Sequence, residues 1–95
     1  MEIYMIIEHY KPGKTEEIYS RFSEKGRMLP EGVEFVNSWI EDNLRTCYQV
    51  MKSESPEKLN EWKDKWKDLV DFEVIRVLSS QEANDKVHRK ETETS

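Results

Sequence analysis

The run Glu2 to Tyr10, EIYMIIEHY, constrains this chain most: it is β-branched and aromatic, and its apolar side chains fall on both parities. Side chains alternate between the two faces of a strand, so a run of this kind belongs in a sheet covered on both sides. The odd positions offer Ile3, Met5 and Ile7, and the even ones Tyr4, Ile6 and Tyr10. A later run, Val33 to Glu41 (VEFVNSWIE), repeats the pattern and sets Phe35 and Trp39 against Val36 and Ile40.

The rest of the chain supplies helices for only one of those faces. Lys11-Pro12-Gly13-Lys14 reads as a turn, with Thr15 as N-cap and Glu16 and Glu17 in a first turn where the helix dipole favours acids. Ile18, Tyr19, Phe22 and Leu29 share one apolar arc, which predicts a helix over residues 15–27 that Gly26 ends or bends. Val33 to Glu41 and Arg45 to Lys52 (RTCYQVMK) read as two strands of a hairpin turning at Asp42-Asn43. Ser55-Pro56 places a capping hydroxyl just before a proline at the first helical position. Leu59, Trp62, Trp66, Leu69 and Val70 then fall in one arc of a second helix, and Asp71 to Leu78 (DFEVIRVL) closes as a fourth strand. The order β-α-β-β-α-β is the ferredoxin-like α+β arrangement, an antiparallel four-stranded sheet with both helices on one face.

Composition says what covers the other face. The chain has 95 residues, too few for two cores. All but two of its apolar residues, Ala83 and Val87, lie between Met1 and Leu78, so residues 1–78 are expected to fold and residues 79–95 to form a disordered polar tail. Three Trp, four Tyr and three Phe weight the core towards large side chains. An uncovered sheet face of this composition would exceed the few hundred Å2 of contiguous apolar surface usual on a monomer. A twofold homodimer that packs sheet on sheet removes the excess.

The formal net charge is −5 with acids and bases interspersed, so neither a nucleic-acid nor a membrane partner is expected. No apolar run approaches the roughly 18 residues of a spanning helix, and the start Met1-Glu2-Ile3-Tyr4 has no signal-peptide pattern. With the single cysteine, Cys47, this reads as a cytoplasmic protein with a reduced thiol.

Several motifs together resemble a family of small proteins catalogued only as a domain of unknown function. They are His9-Tyr10-Lys11-Pro12-Gly13, the loop Gly26-Arg27-Met28-Leu29-Pro30-Glu31-Gly32, Ser38-Trp39, Arg45 to Met51, and Trp62 with Trp66, spread over residues 3–78. That family is similar in fold to the dimeric α+β barrel superfamily, in which two ferredoxin-like sheets form a barrel enclosing a cavity. The resemblance implies a homodimer and leaves the chemistry open, because the superfamily includes cofactor-independent monooxygenases, haem-degrading enzymes, lactone isomerases and proteins of unclear activity. Haem-degrading relatives carry a His on the helix corresponding to the second one here, which has none.

Candidate site residues follow from chemistry. Glu8 and His9 are adjacent on a strand and point to opposite faces, so only one can enter a cavity. A histidine there suits acid–base work near neutral pH, or a bond to a loop carbonyl. Glu8 in a dry cavity would titrate high and serve as a base, or would pair with Arg27 or Arg45. Arg27 suits holding a carboxylate or phosphate on a ligand, or answers the helix dipole. Asn37, Trp39, Cys47 and Gln49 on the hairpin resemble a pocket of polar groups beside an aromatic wall, with Trp39 equally suited to anchor a dimer. Cys47 as a nucleophile needs a lowered thiol pKa, and Trp62 and Trp66 read as core. His9 and His88 are too far apart in kind for a zinc site, so no metal and no cofactor is expected.

The expected function is small-molecule binding in a partly apolar cavity of a homodimer. Competing readings are a structural or interaction module without a catalytic site, and a cofactor-independent monooxygenase-like enzyme using Glu8 or His9.

Overall fold

The computed structural model describes residues 1–94, with side chains described through Arg89. Strands β1 (Glu2–Tyr10), β2 (Val33–Ile40), β3 (Thr46–Ser53) and β4 (Val70–Val77) alternate with helices α1 (Thr15–Lys25) and α2 (Pro56–Asp64), and α3 (Ser80–Thr94) follows. The antiparallel sheet runs β2-β3-β1-β4, the expected ferredoxin-like order. No helix among the described residues is long and apolar enough to cross a membrane.

Both helices cover one face. The even residues Tyr4 and Ile6 of β1 pack with Met51, Val33 and Val70 of the neighbouring strands, with Ile18 of α1 and with Leu59 and Trp62 of α2. Each fully buried aliphatic side chain here contributes roughly 1.5–3 kcal/mol. On the other face Ile3, Met5 and Ile7 line up with Tyr48 and Val50 of β3 and with Ile75 and Val77 of β4. Nothing among the described residues seals this surface, and Ile75 remains 47 % exposed.

The elements form for local reasons, some of them different from those expected. The Ser55 side chain accepts from the Lys58 backbone N–H at 3.3 Å, and Pro56 opens α2 as the sequence pattern predicts. α1 instead has Lys14 at its N-cap without a side-chain cap, and Thr15 is its first residue. The Thr15 hydroxyl donates to the Leu44 carbonyl at 3.3 Å, tying α1 to the β2–β3 turn. In that turn the Asn43 side chain accepts from Arg45 N–H at 2.9 Å, and Leu44 takes a positive φ of 61°.

The Leu59-to-Val70 arc is not one helix. α2 ends at Asp64 and continues as tight turns, with Trp66 N–H on the Lys63 carbonyl and Leu69 N–H on the Trp66 carbonyl, both at 2.9 Å. The arc is still buried because these turns keep a near-helical period up to Val70, the first residue of β4.

The expected disordered tail is replaced by α3. Its apolar pattern is as poor as the sequence shows, but a capping box starts it. The Ser79 hydroxyl accepts from Glu82 N–H at 3.1 Å, and Ser79 N–H donates to Glu82 Oε1 at 3.3 Å. Good helix formers extend it, with Gln81 Nε2 donating to Asp85 Oδ1 at 3.0 Å one turn on. Ala83 is its one half-buried side chain among those described, so local terms rather than packing set its conformation. Ser95, the last residue of that expected tail, lies outside the described residues.

Candidate functional site

Strand parity decides which candidates meet. Glu8 pairs with Cys47 across β1–β3 and shares the helix-covered face with Tyr10, Cys47 and Gln49. His9 points to the open face, where its Nε2 lies 2.9 Å from Glu73 Oε1 on the exposed surface. Between β2 and β3 the register shifts across a bulge between Phe35 and Asn37. Before it, odd residues of β2 oppose odd residues of β3, as Phe35 opposes Met51. After it, Trp39 opposes Tyr48 and Ile40 opposes Cys47. One extra residue exchanges the faces of all that follow. Asn37 is therefore separated from Cys47 and Gln49, is exposed, and accepts a bond from Ser38 N–H at 2.8 Å. Ser38 and Ile40 take the inner positions.

A cavity of about 180 Å3 lies on this helix side, lined by Glu8, Tyr10, Cys47 and Gln49 from the sheet, by Ile18, Tyr19, Phe22 and Arg27 from α1 and its exit, and by Trp62 and Trp66. It lies within one chain, between sheet and helices. Trp39 also borders it, and together with Tyr19 and Phe22, which are exposed as well, it forms the rim.

Arg27 reaches the cavity because α1 ends abruptly. Gly26 takes φ 66° and ψ −158°, and its N–H caps the Phe22 carbonyl at 2.8 Å. That conformation is open to glycine and strained for other residues. The chain reverses, and both indole N–H groups of Trp62 and Trp66 donate to the Arg27 carbonyl, at 3.0 and 3.1 Å. The two tryptophans are core residues as expected, and they also fasten the loop that carries the cation, a role their spacing did not reveal. The Arg27 guanidinium lies over two rings, 4.9 Å from the Phe22 centroid and 3.5 Å from that of Phe35.

A polar row crosses the cavity floor. Arg27 Nε donates to Gln49 Oε1 at 3.1 Å, and Gln49 Nε2 donates to Glu8 Oε2 at 3.2 Å. Gln49 is 4 % exposed and bonded through both its oxygen and its nitrogen, so it holds the two charged groups apart in a fixed relation. Among the described residues neither Arg27 nor Arg45 forms an ion pair with Glu8. Burial pushes the Glu8 carboxyl up to about 7, against the opposing effects of the Cys47 thiol, Arg27 and Gln49. The same burial, reinforced by Glu8, pushes the Cys47 thiol up to about 11, which removes it as a nucleophile near neutral pH. Burial also raises the Tyr10 phenol, and its ring meets that of Tyr19 edge-on at 6.4 Å. Tyr10, Phe22 and Phe35 complete the site, and of these only Tyr10 was signalled in the sequence, by its parity with Glu8. Among the described residues no three His, Cys, Asp or Glu side chains gather as a metal site.

This arrangement can present a guanidinium, an amide and a carboxyl near neutrality to one small molecule, against aromatic walls.

A solved structure shares the fold. The crystal structure of PA3566 from Pseudomonas aeruginosa aligns over 82 % of this chain and 95 % of its own, with a TM-score of 0.51 and 10 % identity. A putative antibiotic biosynthesis monooxygenase from Chloroflexus aurantiacus J-10-fl aligns over the same shares at 13 % identity with a TM-score of 0.44. At 10 % identity the likeness to the Pseudomonas aeruginosa protein is one of fold alone. A comparison with the curated proteins finds no match. The sequence pattern of a family described as a domain of unknown function, DUF3303, matches residues 2–91, taking in the sheet, the cavity and most of α3, and the chain belongs to that family.

Proposed function

We propose that this protein binds a small organic molecule in the cavity between its sheet and helices, as a homodimer joined through the open sheet face. The observation that carries the reading is the Arg27–Gln49–Glu8 row facing a cavity walled by Tyr10, Phe22 and Trp62. Few convergent polar groups in an apolar concavity are the usual make-up of a ligand site. Any chemistry there is cofactor-independent and centres on Glu8, whose titration near neutrality suits proton transfer. The lone thiol of Cys47 suits a reducing compartment, and we assign the protein to the cytoplasm.

A thermal-shift screen of small aromatic and aliphatic compounds tests the reading, because a ligand that binds only the folded state raises the midpoint. A binder whose effect disappears in Gln49→Leu is the expected result. A screen in which no compound shifts the wild type would sink it.

A second reading, an interaction module without a ligand, is favoured by the open apolar face alone, with Ile3, Met5, Ile7 and Ile75 in register across β1 and β4. It predicts a dimer by sedimentation together with that empty screen.

A further inference from the structure

Resting on the reading above, the geometry points to a ligand class: the cavity takes a small aromatic monocarboxylate, whose carboxylate sits on the Arg27 guanidinium and whose binding is accompanied by a proton on Glu8.

Arg27 carries the first half. Its Nε is committed to Gln49, and among the described residues its Nη groups have no hydrogen-bond acceptor and no carboxylate within ion-pair distance. No buried polar side-chain atom among these residues lacks a partner, so the Nη groups reach accessible space. A guanidinium that lies over the Phe22 and Phe35 rings and is bonded through Nε to Gln49 is held in place before any ligand arrives. Two parallel N–H donors in a fixed plane match a carboxylate bidentately. The size supports a single ring: a cavity of roughly 150 Å3 holds benzene, and this one has about 180 Å3. Tyr10, Tyr19 and Trp62 supply flat walls for its faces.

Glu8 carries the second half. The row holds one cation and one carboxyl, separated by the length of Gln49. A ligand carboxylate on Arg27 places two acids beside one guanidinium where water is largely excluded, and two like charges so placed do not both stay ionised. The charged and titratable groups facing Glu8 are Cys47 and Tyr10 on the sheet and Arg27 at the exit of α1, with Tyr19 across the cavity on α1. Neither thiol nor phenol ionises near neutrality, since burial raises both. The proton therefore goes to Glu8, which already titrates at about 7.

The test is calorimetric titration of the full chain with benzoate and phenylacetate, and with benzamide and phenylacetamide as uncharged matches, at pH 6 and 8.5 in buffers of different ionisation enthalpy. The acids stay ionised throughout. We expect the acids to bind at pH 6 and to weaken by roughly tenfold per pH unit once Glu8 is ionised in the free protein. Proton uptake at pH 8.5 should approach one per ligand. In Glu8→Gln the acids should bind at pH 8.5 as they do at pH 6, without uptake. Arg27→Lys should weaken the acids at least tenfold and leave the amides unchanged, with circular dichroism confirming the fold; Glu8→Gln and the proton count keep the test decisive if Arg27 variants misfold. Amides that bind while acids do not would overturn the ligand class and leave the cavity reading standing. Acids that bind without uptake would overturn the role of Glu8, and binding of neither series would overturn this inference, while an empty general screen is what overturns the cavity itself.

Discussion

The two faces of the sheet use similar residues to different ends. On the covered face Trp62 is 2 % exposed, packs edge-on to Phe72 with centroids 5.2 Å apart, and donates its indole N–H to Arg27. On the open face Trp39 is 56 % exposed beside Tyr48. The first tryptophan is spent on the fold of one chain and on positioning a cation. The second borders the rim of the cavity and leaves most of its apolar surface uncovered. The comparison teaches that aromatic weight in a small domain need not mean a large core; here it is divided between a core, a cavity wall and an unsealed surface.

Substituting each tryptophan tests that division most severely. Trp62→Ala is expected to cost about 3–5 kcal/mol in urea unfolding, whereas Trp39→Ala should change the protomer by no more than about 0.5 kcal/mol. Equal losses, independent of protein concentration, would erase the distinction between the faces.

The next effect belongs to Glu8. Its folded pKa of about 7 lies above the ordinary 4.5, so the native state retains a proton that the unfolded chain has released. Stability is full below pH 4.5, declines as pH rises to about 7, and then levels, over a range on the order of 3 kcal/mol. Glu8→Gln should flatten this slope in denaturation midpoints read from pH 4.5 to 8. An unchanged slope would mean that the covered face is wetter around Glu8 than its burial indicates.

On the open face, Ile75→Glu should leave the protomer folded and weaken self-association by about tenfold or more, ~1.4 kcal/mol, in sedimentation equilibrium. A dimer of undiminished strength would locate the contact elsewhere.

The smallest effect is expected at the edge of the covered side. Arg21 grips Asp68 through two bonds of 2.9 and 2.7 Å and lies 5.5 Å from the Trp66 ring, joining α1 to the turns after α2. The hydrogen bonds from Arg21 hold the Asp68 carboxyl down at about 2. The contribution is present above the ordinary carboxylate range and lost as pH falls through about 2. Because the pair is solvent-exposed, Asp68→Asn should cost less than about 1 kcal/mol at pH 7. Thermal melts at pH 7 and pH 2 should show the difference between variant and wild type closing in acid.

The sequence was most legible where one physical rule operates locally. The strand runs, the Ser55-Pro56 start of α2, the Asp42-Asn43 turn and the stop at Gly26 each follow from periodicity or from one residue's backbone preference. The Ser79–Glu82 capping box is equally local, but the apolar pattern beyond it is empty, and an amphipathic stripe reports packing, not helix formation. Glu8, Arg27, Cys47 and Gln49 were all identifiable as candidates by residue type. That Glu8, rather than His9, faces Gln49 depended on which parity the helices cover, and the doubly apolar β1 run could not show this.

What the sequence determined by itself is the order of elements, the ferredoxin-like topology they imply and an apolar surplus on both sides of the sheet, because these follow from the alternation of side chains along each run. The tertiary structure decided which residues share the cavity. A single bulge between Phe35 and Asn37, in a stretch with no glycine or proline to announce it, turned Asn37 away and Ser38 inward. The reversal at Gly26 brought Arg27 over Gln49 from 22 residues away. Both outcomes depend on register and long-range packing, where a shift of one position changes the face and no local preference records which shift was taken.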